Sequence, residues 1–153
     1  MAWSGSSVFT HFVSDVLSGG LTNFSSLTTD DVKVALYTET VTPDKDTADA
    51  AYDVSPWDSN EVFDGTEWAE GGESLDTPAI STPSSGVVMF DATNLASGNA
   101  ATLANVAGCL VYDGTTTGDR GVCFNDFGGN NSVTNGTFTI IWHSNGIFRF
   151  TLT

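Results

Sequence analysis

The stretch "LANVAGCLVYDGTTTGDRGVCFNDF" (residues 103–127) decides the fold. Two apolar runs flank a loop of Gly, Thr and Asp that opens on the turn signal Asp113-Gly114, so the segment reads as strand, turn, strand. It also holds both cysteines of the chain. Centring the loop between Asp113 and Asp119 on Thr116 places Cys109 directly opposite Cys123, Leu110 opposite Val122 and Gly108 opposite Phe124. Two thiolates do not close a structural zinc site, which takes four ligands, and the spacing is not Cys-x-x-Cys. The pair is expected to be small buried hydrophobes, or at most a cross-strand disulfide, and thiols in a reducing compartment.

The same alternation of short apolar runs and turn residues continues on either side. "SGVVMFDAT" (85–93) reads as a strand, and "TFTIIWH" (137–143) and "IFRFTL" (147–152) flank Ser144-Asn145-Gly146. Asn-Gly tolerates positive φ at both central turn positions and predicts a tight hairpin. In that register His143 faces Phe148, Ile141 faces Phe150, Thr139 faces Leu152, and Arg149 lies across from the Trp142 indole. Phe138 to Trp142 is apolar on both faces, as a central or covered strand would be. Five strands between residues 86 and 153 with no helical period among them indicate an antiparallel β-sandwich or barrel. Upstream, "DDVKVALYTET" (30–40) alternates Val32, Val34 and Leu36 with Lys33, Ala35 and Tyr37, the pattern of a strand with one face on a core.

A single helix is expected over residues 6–18. Val8, Phe9, Phe12, Val13, Val16 and Leu17 recur with a 3.6-residue period, Ser6 or Ser7 can cap the start, and Gly19-Gly20 can end it. This stripe docks either on the protein's own sheet or on another subunit. Residues 39–85 carry all four prolines and 12 of the 19 acidic residues without sustained periodicity. The aromatics Trp57, Phe63 and Trp68 within it argue against disorder, so it reads as an ordered, extended arm with a few short strands. Its acids Asp58, Glu61, Asp64, Glu67, Glu70, Glu73 and Asp76 fall every third residue. Neither "DKDTAD" nor "DSNEVFDG" supplies the ligand pattern of a calcium loop.

The chain of 153 residues carries 19 Asp plus Glu against 4 Lys plus Arg, a net charge of −15. Such a field repels nucleic-acid phosphates and anionic lipid, and no apolar run is long enough to span a bilayer. The N-terminus lacks the basic flank of a secretion signal, so the expectation is a soluble chain made in the cytosol. No nucleophile elbow, phosphate loop or zinc-protease motif occurs; His11 and His143 read as structural or solvated groups, and no pair among the acids stands out as catalytic. Neither enzymatic activity nor a cofactor or metal is expected.

In the order "VFTHFVSDVL", "VKVALYTE", an acidic aromatic loop, "GVVMFDATN", "ANVAGCLVYDG" and a strand-rich end, the chain resembles small β-rich virion structural proteins of tailed bacteriophages, among them capsid decoration (cement) and tail-fibre-like proteins. The resemblance implies a virion protein, made in the host cytoplasm, that binds the major capsid protein or other virion proteins without covalent bonds. It also implies a symmetric trimer or dimer. The helix stripe (Val8, Phe9, Phe12, Val13, Val16, Leu17) and the arm aromatics (Trp57, Phe63, Trp68) are the candidate docking residues, with Lys33, Lys45, Arg120 and Arg149 the cations available for ion pairs. The alternatives are a tail-associated subunit and a carbohydrate-binding module with Trp57, Trp68 and Trp142 as sugar platforms.

Overall fold

A computed structural model describes residues 3–153. In chain order the elements are β1 (Ser7–Val8), α1 (Thr10–Ser18), β2 (Val32–Thr38), β3 (Glu61–Val62), β4 (Glu73–Ser74), β5 (Ala79–Ser81), β6 (Val87–Asp91), β7 (Leu95–Ala96), β8 (Ala101–Asp113), β9 (Arg120–Gly136), β10 (Thr139–Ile140) and β11 (Phe148–Thr151). The fold is mainly β and antiparallel with one short helix near the N-terminus, as the sequence indicates.

The central sheet runs β1-β9-β8-β2-β3, with β4 also paired to β2. Its heart is the β8–β9 ribbon expected from residues 103–127, but the register differs. Cys109 pairs with Asn125, Leu110 with Phe124 and Val111 with Cys123. The strands resume pairing only at Asp113 and Arg120, and a bulge between Val111 and Tyr112 adds a further offset. The slip of two residues preserves side-chain parity, so both sulfurs still share one face without being directly opposed. Both cysteines are buried thiols.

Strand β2 joins β8 along its whole length, Val32 facing Asp113 and Leu36 facing Cys109. Its second face is not solvated as the alternation suggests, because Ala35 and Tyr37 are as buried as Val34 and Leu36. That face is covered by the N-terminus and the arm. Trp57 packs edge-on against Tyr37 at 5.0 Å and against Trp3 at 5.8 Å. Phe9 and Trp3 meet Phe124 at 5.4 and 6.2 Å. Gly108 and Gly121 make room for these rings: a Cβ on Gly108 would lie 2.5 Å from Trp3, and one on Gly121 2.9 Å from Phe9. On the other face lie Phe90 of the second, three-stranded sheet β11-β6-β5 and Ile147, which leads into β11 and is tied across by Asn125 Nδ2 donating to its carbonyl at 3.2 Å.

The helix begins later than its apolar period. Ser7 and Val8 are extended and pair with Phe124 and Cys123, and Phe9 N donates to Val122 O at 3.1 Å, so the sheet takes the residues that would form the first turn. Phe9 occupies the N-cap without a side-chain cap. The arm substitutes: the Lys45 carbonyl accepts from Thr10 N at 2.9 Å and Asp46 Oδ1 accepts from Thr10 Oγ1 at 2.6 Å. Gly19 ends the helix with φ 69°, as expected of a left-handed cap.

The expected C-terminal hairpin does not form. Strand β10 pairs with β7, whereas β11 pairs with β6, Phe148 facing Phe90 and Phe150 facing Val88. A turn does occur, Gly146 N donating to His143 O at 2.7 Å, but Gly146 has φ 78° while Asn145 stays out of the left-handed region. The chain therefore departs toward a different sheet rather than folding back. Arg149 donates to Asn145 Oδ1 at 2.8 Å instead of lying on Trp142, and Ile141 is exposed rather than part of a covered strand.

Candidate functional site

The side chains that most resemble reactive chemistry are the three tyrosines and Glu61, and their geometry is that of a staple between the arm and the sheet. Tyr52 stacks on Tyr112 at 4.9 Å with the rings 13° apart, and donates its hydroxyl to Glu61 Oε2 at 2.8 Å. Glu61 Oε1 accepts from Gly71 N at 2.7 Å, while Tyr112 Oη donates to Gly71 O at 2.7 Å and Tyr37 Oη to Trp57 O at 2.8 Å. Burial raises the pKa of Glu61 and, more strongly, of all three phenols. Each of these hydroxyls spends its proton on an acceptor within the chain, so none is poised as a nucleophile.

Three acids of the threefold series, Glu61, Asp64 and Glu73, accept from backbone amides of the arm itself. Asp64 Oδ1 accepts from the backbone N–H groups of Thr66, Glu67 and Trp68 at 3.0, 2.7 and 3.0 Å, and Oδ2 from Thr102 N at 3.1 Å. Those donors hold its pKa down at about 2. Glu73 does the same for Ala69 N at 2.8 Å. A segment with so few paired strands must satisfy its own amides, and carboxylates do so here. Among the described residues no three His, Cys, Asp or Glu side chains gather as a metal site.

Three of the four cations are bound up in ion pairs within the chain. Arg120 Nη2 reaches Asp15 Oδ2 on α1 at 2.9 Å and Asp49 Oδ1 in the arm at 2.8 Å; Lys45 pairs with Asp46 at 2.7 Å and Lys33 approaches Asp31 at 3.9 Å. His11 has both ring nitrogens buried without partners, and burial together with Arg120 lowers its pKa.

The candidate docking residues divide sharply. Phe9, Phe12, Trp57 and Trp68 lie in the core, which withdraws them from any docking surface, and Trp57 and Trp68 likewise from the role of sugar platforms. The rings that looked too costly to expose in an arm are what fastens the arm down. Val8 and Val13 are half-buried, whereas Val16, Leu17 and Phe63 are 40%, 83% and 42% exposed. Beside Val16 and Leu17 the structure places Phe150 and Ile80, 39% and 49% exposed, which the sequence had not singled out. Val16, Ile80 and Phe150 line a groove of about 240 Å³ whose floor is Phe12, Phe90 and Phe148. A shallower depression next to it runs from Val8 and Val13 to Leu17 and Phe150. Neither depression is lined by a charged side chain among the described residues. The alternation of Phe148, Phe150 and Leu152 carries the signal for this face, but only once β11 is known to pair with β6.

Compared with protein-family models, curated proteins and solved structures, the chain has no match in any of the three.

Proposed function

We propose that this chain is a structural subunit of a tailed-bacteriophage particle, a capsid decoration protein that docks on the shell through the apolar face formed by α1, β5 and β11. The observation that carries the reading is that face: four large apolar side chains, Val16, Leu17, Ile80 and Phe150, stand exposed together around uncharged grooves on a chain of net charge −15. Contiguous exposed apolar surface of this kind marks protein contact sites. Tyr37, Tyr52, Tyr112, Glu61 and Arg120 are engaged in holding the arm and helix to the sheet, which favours a binding role over a catalytic one.

The acidic exterior complements the docking face. It keeps closely spaced copies from clumping through unintended contacts, since like-charged surfaces repel over about 8–10 Å at physiological salt. Association into a symmetric dimer or trimer presents several docking faces to the shell at once and raises residence by multivalency.

Fractionation of particles tests the assignment. The chain is expected in purified heads at stoichiometric occupancy and absent from isolated tails. Its recovery in tails alone would move it to the tail, and its absence from both would end the virion reading. Within heads, Leu17→Asp is expected to abolish occupancy while leaving the melting temperature unchanged, because Leu17 makes little contact with its own core.

A further inference from the structure

A second depression, of about 400 Å³, lies between the irregular stretch of β9 that follows Asp126 and the segment that runs from β10 to the Gly146 turn. Its volume falls in the range of about 300–1,000 Å³ typical of small-molecule sites. Where the docking grooves offer only hydroxyls beside their aromatic rings, this one adds amide, carboxylate and imidazole groups: Phe127 and Trp142 stand with Asn125, Asp126, Asn131 and His143.

The polar groups around Trp142 retain unused hydrogen-bonding capacity. His143 Nδ1 accepts from Asn145 N at 3.1 Å, which places the imidazole proton on Nε2 and makes that atom a donor. Asn131 Nδ2 donates to Gly129 O at 2.8 Å, leaving Oδ1 as an acceptor. Asp126 is held by Gly5 N on Oδ2 at 2.9 Å and by Gly128 N on Oδ1 at 2.8 Å, each oxygen keeping a second lone pair. Trp142 is itself fixed, its Nε1 donating to Thr93 O at 3.2 Å and its backbone N to Asn94 Oδ1 at 3.1 Å.

This combination restricts the ligand. No lysine or arginine lines the groove among the described residues, and the chain's field is negative, so anions are disfavoured. One carboxylate and one imidazole fall short of a divalent-cation site. A strand-like peptide has little edge to pair with, because β10 is two residues long. A ring with an apolar face and a rim of hydroxyls, each both donor and acceptor, matches an indole bordered by one donor and several acceptors. We propose that this groove binds a neutral saccharide, one sugar ring packing on Trp142 with its hydroxyls shared among His143, Asn131 and Asp126. The inference is independent of where the subunit sits on a particle.

Trp142 also supplies the readout. Trp3, Trp57 and Trp68 are buried, so acrylamide quenching of tryptophan emission reports on Trp142. The full chain is titrated with neutral oligosaccharides built from glucose, galactose, mannose and N-acetylglucosamine. At least one series is expected to protect the emission, with a dissociation constant between about 10 μM and 1 mM. His143→Ala, at an exposed position, is expected to weaken that binding about tenfold with the melting temperature unchanged. Trp142→Ala is expected to abolish it, as followed by saccharide-observed NMR. The proposal is overturned if no series protects Trp142 at about 10 mM, if the His143 variant binds as well as the parent, or if uncharged peptides protect the emission and the saccharides do not.

Discussion

The substitution Asp113→Asn is expected to stabilise the protein at neutral pH. Asp113 is 1% exposed; its Oδ1 accepts from Thr115 N at 2.9 Å, while Oδ2 is buried without a donor. Burial is the main cause that raises its pKa to about 6, and the neighbouring Asp30 carboxylate, itself held by Ser25 N and Ser26 N at 2.8 and 3.1 Å, adds to the shift. An unfolded aspartate titrates near 3.9, so folding favours the protonated form. The resulting stability is fully present below about pH 3.9 and is lost as pH rises through about 6. Two pK units at about 1.4 kcal/mol each give a penalty of about 2–3 kcal/mol at pH 7.5. The amide introduced by Asp113→Asn removes the charge, keeps the bond to Thr115 N and gives Asp30 a donor in place of a second carboxylate. At about 2–4 °C per kcal/mol for a chain of this length, the variant should melt about 5–10 °C above the parent at pH 7.5. The gap should close to below about 1 kcal/mol at pH 4. Burial also raises Glu61 and Asp119, and they contribute pH dependence of the same sign, but both are common to the two proteins. Paired urea unfolding at the two pH values therefore isolates Asp113. A variant no more stable than the parent at pH 7.5, or a gap that persists at pH 4, would refute the reasoning.

Three further outcomes test how the arm and helix are fastened. Gly72→Ala, at φ 82° with a would-be Cβ 2.0 Å from the Val34 carbonyl oxygen, is expected to cost more than about 2 kcal/mol in urea unfolding; an unchanged midpoint would contradict the close approach of the arm to β2. Arg120→Met removes the ties to Asp15 and Asp49 and should cost about 1–2 kcal/mol, with faster hydrogen exchange in both α1 and residues 45–52. Exchange confined to one of the two segments would show that Arg120 does not couple them. Burial pushes the Cys109 thiol up to about 12 and Cys123 also upward, so both should resist a thiol reagent at pH 8 until the chain is unfolded in denaturant; fast labelling of the native protein would mean that the sheet opens there.

Strands marked by their own alternation, or by an apolar run between turn residues, were legible from the sequence. Val32–Thr38, Val87–Asp91 and the ribbon around Cys109 and Cys123 all occur. What escaped local reading was set by distant partners. The cysteine register turns on a bulge at Val111 and Tyr112 and on where pairing resumes across a Thr-rich loop, and no residue in the stretch specifies either. The Asn145-Gly146 hairpin fails because Ser97 N captures Phe138 O at 2.8 Å and β7 takes β10, while β6 takes β11. Tertiary pairing overrides a local turn preference. In the arm Trp57 and Trp68 are buried in the core, and composition could not say whether those rings face a partner or the chain's own sheet. The candidate docking face was half visible: Val16 and Leu17 belong to the helical stripe, whereas Phe150 and Ile80 join them only through the β11-β6-β5 sheet.

The account stands most directly on which surface is covered when the subunit is in place. Hydrogen exchange of the particle-bound and free subunit would answer it at peptide resolution. Protection is expected in residues 10–18 and 148–152, with little change in the Tyr52–Glu61–Tyr112 region, where the arm is already sealed by its own hydrogen bonds. Unchanged exchange over α1 and β11 on stably bound subunits, with protection elsewhere, would contradict the proposed docking face.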